Sequence, residues 1–419
     1  MTDLVTATAQ GKVSKQKARD VFRAMLGNEK SVEEVIAQLG LGQISDDAVL
    51  REALQKAQAR GDRLALAQAM NDLGVATGSR DMARKRHYYR RSRELARAIN
   101  HRRLQIRSDN NLAGLYMRLG LYSRALALAQ SATNAARQSQ MRIRLSYYVD
   151  TLARVAWYAG LLDLSRSCYD ELVYLAQETG QSDLLANGKF GLGQLALDEG
   201  RQDDAAAALS EAVAFFDQND MTEEKAFALS WLAASHLALG EPAPALASSA
   251  EAMHLAQAHE LTGVDFPPQE IWWWRFRALE SAHGETDEAW QTLDQARQVM
   301  FEAVANINDE GLRRNYLNKP AVNRAISETW TEQAAQRGQS LAPFTQRETI
   351  PAALSEQMER IVDSGARLAA ERDTEALAEF VLQEFVELSG VERAIVALPV
   401  EGRREEPGHK ADNKEVPQK

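Results

Sequence analysis

Apolar and polar residues in this chain follow a helical rhythm that restarts every forty positions. Gly120, Gly160, Gly200 and Gly240 are each 40 residues apart, Gly78 precedes them by 42 and Gly284 follows by 44. Eight residues before these glycines stand Met70, Leu112, Leu152, Leu192, Leu232 and Phe276; five residues after stand Ala83, Ala125, Ser165, Ala205, Ala245 and Ala289. Chance does not hold three features in register through six copies, and a repeat missed here would misread the whole fold. Within one copy, Leu112, Leu115, Tyr116 and Leu119 fall on one face of a helix. Gly120 supplies a left-handed residue that releases the chain from that helix. Leu121–Ser123 make the turn, and Ala125, Leu126, Ala129 and Ala132 stripe a second helix. Small residues at Ala113, Ala153, Gly193 and Ala233 let paired helices approach closely. Neither helix buries its apolar face alone, so stacked copies share one continuous core.

A hairpin of this length, with Leu-Ala/Gly early, Gly before the turn and Ala after it, resembles the tetratricopeptide repeat in a longer, 40-residue form over about residues 62–300. The expected fold is all-α: a right-handed α-solenoid of tetratricopeptide-like helical hairpins with a small N-terminal three-helix segment. The resemblance implies a concave groove that binds a peptide or a protein segment, with Tyr158 and Trp273 as candidate groove contacts. It names no partner.

Residues 11–54 are patterned differently. Ser31-Val-Glu-Glu34 reads as a capping box, Gly40 stops that helix, and Ser45 caps the next. Val21, Phe22, Met25, Leu26, Val35, Ile36, Leu39, Leu41, Ile44 and Leu50 are expected to form a small core. The string Gly11-Lys12-Val13-Ser14, Ala18, Val21-Phe22, Met25-Leu26, Gly40-Leu41 and Gln43-Ile44-Ser45-Asp46 resembles the tail domain of the aspartyl/glutamyl-tRNA amidotransferase B subunit. In that family the tail helps hold tRNA, and the catalytic domains lie upstream. The resemblance covers the tail alone and not those catalytic domains, so amidotransferase activity is not expected from it. Lys12, Lys15, Lys17, Arg19 and Arg23 can meet phosphate, but residues 1–60 balance nine basic groups against eight acidic ones. A helical cap on the open end of the solenoid is an equal reading.

Beyond Gly284 the pattern loosens. Ile307–Trp330 followed by Arg360–Val400 resembles multidomain bacterial signalling proteins of the tetratricopeptide–GAF type. Leu354, Met358, Ile361, Gly365 and Leu368 step by 4, 3, 4 and 3, a heptad-like seam that suits either a homodimer through helix 352–370 or packing on the solenoid. Ala394–Leu398 reads as the first strand of a truncated GAF module, and 401–419 as a polar, disordered tail. The expected divisions are therefore 1–60, 61–300, 301–345, 346–400 and 401–419.

Composition sharpens this picture. The first of ten prolines is Pro242, where average usage of about 5% would place roughly a dozen before it. Proline breaks helices, so its absence fits a long helical train. Cys168 is the sole cysteine, which rules out a disulfide within the chain or a thiolate metal cluster and favours a reducing, cytoplasmic setting. No apolar run of about 18 residues implies a membrane span.

The net charge of -10 argues against the whole molecule coating nucleic acid. Residues 80–109, however, carry eleven Arg/Lys and three Asp/Glu. Within that run Arg86, Arg90, Arg93 and Arg97 share one helix face beside Tyr89. Arginine forks suit phosphate or carboxylate, and tyrosines stack on bases, so an anionic partner such as RNA is one reading. The other is a solvated face paired with acidic neighbours. Trp272-Trp273-Trp274 cannot all face one core on a helix, since successive positions are about 100° apart. Gly188, Gly191 and Gly193 lack the preceding strand and spacing of a nucleotide loop. The seven histidines offer no i, i+4 pair for zinc, and no nucleophile with a nearby base stands out. The expectation is a binding protein without cofactor, not an enzyme: a scaffold or regulatory arm in bacterial signalling, or alternatively an RNA- or tRNA-associated factor using the N-terminal segment and helix 84–103.

Overall fold

The computed structural model describes residues 47–77, 81–139, 141–259, 266–307 and 309–339 as continuous stretches, with single positions elsewhere. Among them are fifteen helices and no strand. Helix α1 (Asp47–Arg60) leads into six hairpins: α2 (Arg63–Ala76) with α3 (Met82–Ala98), α4 (Arg102–Arg118) with α5 (Tyr122–Gln138), α6 (Arg142–Tyr158) with α7 (Leu162–Thr179), α8 (Ser182–Asp198) with α9 (Gln202–Gln218), α10 (Thr222–Ala238) with α11 (Pro242–Ala258), and α12 (Gln269–His283) with α13 (Asp287–Ala303). Two further helices follow, the short α14 (Glu310–Asn318) and α15 (Ala321–Gln336).

The glycine register sets the hairpin turns. Gly120, Gly160, Gly200 and Gly240 adopt φ of 71°, 73°, 76° and 75°, a region that costs a side chain dearly and glycine nothing. Each closes its helix in the same way. The N–H after the glycine donates five residues back (Leu121 to Tyr116 O, 2.9 Å; Arg201 to Ala196 O, 2.8 Å), while the glycine N–H donates to the next carbonyl. That doubly bonded turn satisfies carbonyls the helix leaves open. The opposite turns, between hairpins, use Asn100, Gly180 and Asp220 at φ of 56°, 66° and 54°. Asn and Asp tolerate the left-handed region better than other side chains.

The positions eight residues before and five residues after the repeat glycines are all buried except Leu192, which is half-buried. Small residues do the joining: Ser165 Oγ donates to Ala153 O (3.0 Å), Ser92 Oγ to Ala67 O (2.7 Å), and Thr133 Oγ1 to Tyr148 O (3.2 Å). The first helices of successive hairpins (α2, α4, α6, α8, α10, α12) touch one another directly, while the second helices mainly touch the first helices on either side. The first helices therefore form the inner, concave layer of an all-α solenoid.

The solenoid also closes on itself. One core runs from Met82 through Tyr116, Val149 and Leu172 to Phe276, Tyr316 and Trp330, so α14 and α15 share a core with the early hairpins. A Cβ on Gly120 would sit 3.0 Å from Lys319 Cβ and 3.1 Å from Asn315 O, which places the end of α14 against the α4–α5 turn. Arg86 on α3 pairs with Asp309, just before α14, at 2.7 Å, with both side chains at or below 10% exposure. A double-mutant cycle of Arg86→Ala and Asp309→Ala should give a coupling of about 1–2 kcal/mol in unfolding. Additive losses would show that this contact does not hold the closure.

At the N-terminus the capping box forms as the sequence indicates. Ser31 N donates to Glu34 Oε2 (2.8 Å) and Glu34 N donates to Ser31 Oγ (3.2 Å). Val21 and Val35 are buried, but Phe22 is exposed. It is not a core residue, because the face it occupies turns outward. Leu50 packs with Met70, Leu73 and Tyr88, so α1 contributes to the core of the first hairpin. Gly78, Ser45, the 352–370 seam, the GAF strand and the 401–419 tail lie outside the described residues.

Candidate functional site

Aromatic rings and buried polar groups gather on the concave layer. Rings run in contact from Tyr122 to Tyr158 (6.3 Å), from Tyr158 to Trp157 (4.9 Å), from Trp157 to Trp231 (5.6 Å), and from Trp231 to Trp274 (5.3 Å). Trp157 and Trp231 also donate indole N–H groups to carboxylates, Trp157 to Asp198 and Trp231 to Glu270 at 3.0 Å. A buried indole usually needs such an acceptor.

Glu270 is the centre of the polar cluster. From the first turn of α12 it accepts from Trp231 on α10 and from Tyr158 Oη on α6, the latter at 3.4 Å. Burial pushes its carboxyl up to about 7, against the downward pull of the Trp231 and Tyr158 hydrogen bonds and of Arg118 and Arg154. The same burial raises the Tyr158 hydroxyl well above its ordinary value. Alongside, Gln269 Nε2 donates to Tyr316 Oη (3.1 Å) and Asn323 Oδ1 (2.7 Å), and Asn323 Nδ2 donates to Tyr316 O (2.7 Å). Residues from α4, α6, α10, α12, α14 and α15 thus meet in one buried cluster. Acidic and tyrosine groups are present here, but among the described residues no activated nucleophile sits beside a base. Cys168 is buried and its thiol is raised to about 11, which keeps it in the unreactive protonated form. Among the described residues, no group of three or more His, Cys, Asp and Glu is placed to hold a metal ion.

The residues singled out from sequence fall in three settings. Tyr158 lies on the concave layer, half-buried, bonded to Glu270. Trp273 is buried in the main core beside Phe276 (5.5 Å), with Arg277 over its ring; Trp272 and Trp274 are half-buried on either side of it. The arginines divide further. Arg86 pairs with Asp309 and Arg93 with Asp109. Tyr89 is buried with its ring pressed against Gly74, Arg90 is half-buried, and Arg97 is exposed, as are Arg102 and Arg103 after it. Sequence reasoning passed over Glu270, Trp231, Arg154 and Phe266. Their only signal was position: Trp231 stands in register with Thr151 and Gly191, and Phe266 falls in the one interval stretched to 44 residues.

This is the architecture of a tetratricopeptide-like helical-repeat protein. The GatB domain family matches residues 1–67. No curated protein matches the chain. Among solved structures, a Rap protein complexed with competence and sporulation factor matches 80% of this chain and 96% of its own, at 11% identity and a TM-score of 0.55. Aspartyl phosphate phosphatase F from Bacillus subtilis matches over 79% and 94%, at 12% identity and a TM-score of 0.48. A signal-transduction ATPase with a tetratricopeptide repeat sensor from Pyrococcus horikoshii matches over 71% and 44%, at 13% and 0.42. At these identities the likeness is one of fold. Among the described residues, no helix is long and apolar enough to cross a membrane.

Proposed function

We propose that this chain is a non-catalytic binding scaffold, a regulatory arm of cytoplasmic bacterial signalling, that engages a peptide or partner domain through the concave layer of its solenoid. The observation that carries this reading is the line of aromatic rings from Tyr158 through Trp157 and Trp231 to Trp274, interleaved with hydrogen-bonding groups, along the inner helices and met at one end by Tyr122 of α5. Tyrosine and tryptophan offer large, rigid contact area with a polar tip, which is why they dominate binding hot spots. The Rap protein of similar fold is described in complex with a competence and sporulation factor, which supports binding by a solenoid of this shape. A second copy joined through helix 352–370 would present two such surfaces.

A second reading has its own observation: the GatB domain match over residues 1–67. Together with exposed Arg97, Arg102 and Arg103, it supports an RNA- or tRNA-associated factor.

One experiment separates them. The purified chain is used to capture partners, with and without nuclease, at low and moderate salt. A protein retained after nuclease, and bound at least about tenfold more weakly by Trp157→Ala, is the expected result. Recovery of RNA instead, lost steeply with salt and on changing Arg97, Arg102 and Arg103 to Ala, would replace the first reading by the second.

A further inference from the structure

Successive hairpins are joined by two or three residues, such as 99–101, 139–141, 180–181 and 219–221, but residues 259–268 intervene between α11 and α12. Phe266, from this longer connection, leaves its own hairpin and seats across three inner helices. Its ring stacks on Phe227 of α10 (4.7 Å, 28°) and meets Phe190 of α8 edge-on (5.6 Å, 86°). The Arg154 guanidinium of α6 covers it at 5.0 Å. Stacked, edge-on and cation–π geometry around one ring make a slot selective for an aromatic side chain over an aliphatic one. One turn before Phe190, buried Asn187 Oδ1 has no hydrogen-bond partner among the described residues. An acceptor beside an aromatic slot is what the N–H of an extended peptide would use. Phe266 itself is non-helical, and the proline after it disfavours helical backbone at its position. The chain turns into α12 immediately afterwards, through Glu270 N to Pro267 O (3.1 Å).

We infer that the slot between Arg154, Phe190 and Phe227 is a docking site for an aromatic side chain carried on an extended segment of a protein partner, and that Phe266 is the chain's own occupant of that site. This deepens the scaffold reading and rests on it. A partner segment competes with Phe266, so its apparent affinity is reduced by the fraction of chains whose slot is filled. The connection thus sets a threshold: only a segment with a well-placed aromatic residue and a matching N–H displaces it.

The test uses the full chain and a synthetic peptide of the sequence LTGVDFPP, identical to residues 261–268, labelled for fluorescence anisotropy. Phe266→Ala, which empties the slot, is expected to bind this peptide at least about tenfold more tightly than the unaltered chain. The same peptide with alanine for its phenylalanine should not bind. Circular dichroism confirms that the variant keeps its helices; should it not, Phe266→Leu, which keeps the apolar volume but loses the stack, serves in its place with a smaller gain. Equal, absent or phenylalanine-independent binding by a folded variant overturns the site. A peptide-display selection on the unaltered chain and on Phe266→Ala then distinguishes the two failures. Selected aromatic peptides that lose binding on Phe190→Ala support the site. Peptides that bind both chains equally and ignore Phe190→Ala leave the scaffold reading standing and remove the slot. If neither chain selects any peptide, the groove-binding reading falls and the slot with it.

Discussion

Replacing Gly191 with alanine is expected to lower the unfolding free energy by about 2–3 kcal/mol, although alanine is the better helix former by ~1 kcal/mol. Gly191 lies inside α8, where glycine has no turn to make and no positive φ to adopt. What it provides is room. A Cβ there would overlap the ring of Tyr169, which presses in from α7, and would sit 2.6 Å from its hydroxyl oxygen. Tyr169 is itself among the largest fully buried side chains and has no direction in which to retreat. The same helix carries Gly188 against Val173 and Gly193 against Leu209, so three glycines mark three points where neighbouring helices lean on its backbone. Because stability in a solenoid passes between adjacent hairpins, the loss should appear first as faster amide exchange in α7 and α8. Urea unfolding measures the total. Combining Gly191→Ala with Tyr169→Ala should cost less than the sum of the two; a fully additive double variant would mean the ring is not the obstacle.

That cluster illustrates where sequence sufficed and where it did not. The 40-residue register gave the hairpins and their turns, because each depends on local chemistry: a glycine that alone accepts φ near 70°, an alanine stripe at 3.6-residue spacing, a capping serine three residues before a glutamate. The glycines of α8 were readable as unfit for a nucleotide loop, yet nothing local to them says that Tyr169 fills the space. Tyr169 is 22 residues away in the chain and meets Gly191 only because the hairpins stack. The concave site is further still from legible. Glu270 meets Tyr158 across 112 residues, and the register that identifies each helix is silent about superhelical curvature, the property that decides which helices face one another. The basic run shows the same limit from the other side. Spacing alone placed Arg86, Arg90, Arg93 and Arg97 on one face, but the carboxylates of Asp309 and Asp109 come to Arg86 and Arg93 through folding.

Closure of the solenoid is expected to weaken as pH rises from about 4.5 to about 7, and Glu270→Gln should abolish that part of the slope. The carboxyl of Glu270 is buried in the folded chain and raised to about 7, mainly because burial disfavours its charged form. In the unfolded chain it titrates near its ordinary value of 4.5. Below the unfolded value both states hold the proton, and the stabilisation is complete. Between the two values folding must take a proton up, so stability falls with rising pH and levels off above the folded value. A separation of this size corresponds to about 3 kcal/mol. The groups facing the carboxyl fix the sign of the outcome. Trp231 and Tyr158 donate to it, Arg118 and Arg154 favour its charge, Tyr316 stands nearby, and together they are outweighed by the loss of water. Glutamine keeps the shape: its carbonyl oxygen accepts from Trp231 while its amide donates to the Tyr158 oxygen, with no charge to bury. Above pH 7 the variant should therefore be more stable than the unaltered chain, and below pH 4.5 the two should converge. Urea unfolding across this range, followed by tryptophan fluorescence because Trp231 reports the contact directly, decides the matter. Parallel curves for the two proteins would mean that Glu270 remains ionised in the fold and that its clasp on Tyr158 and Trp231 owes its strength to charge.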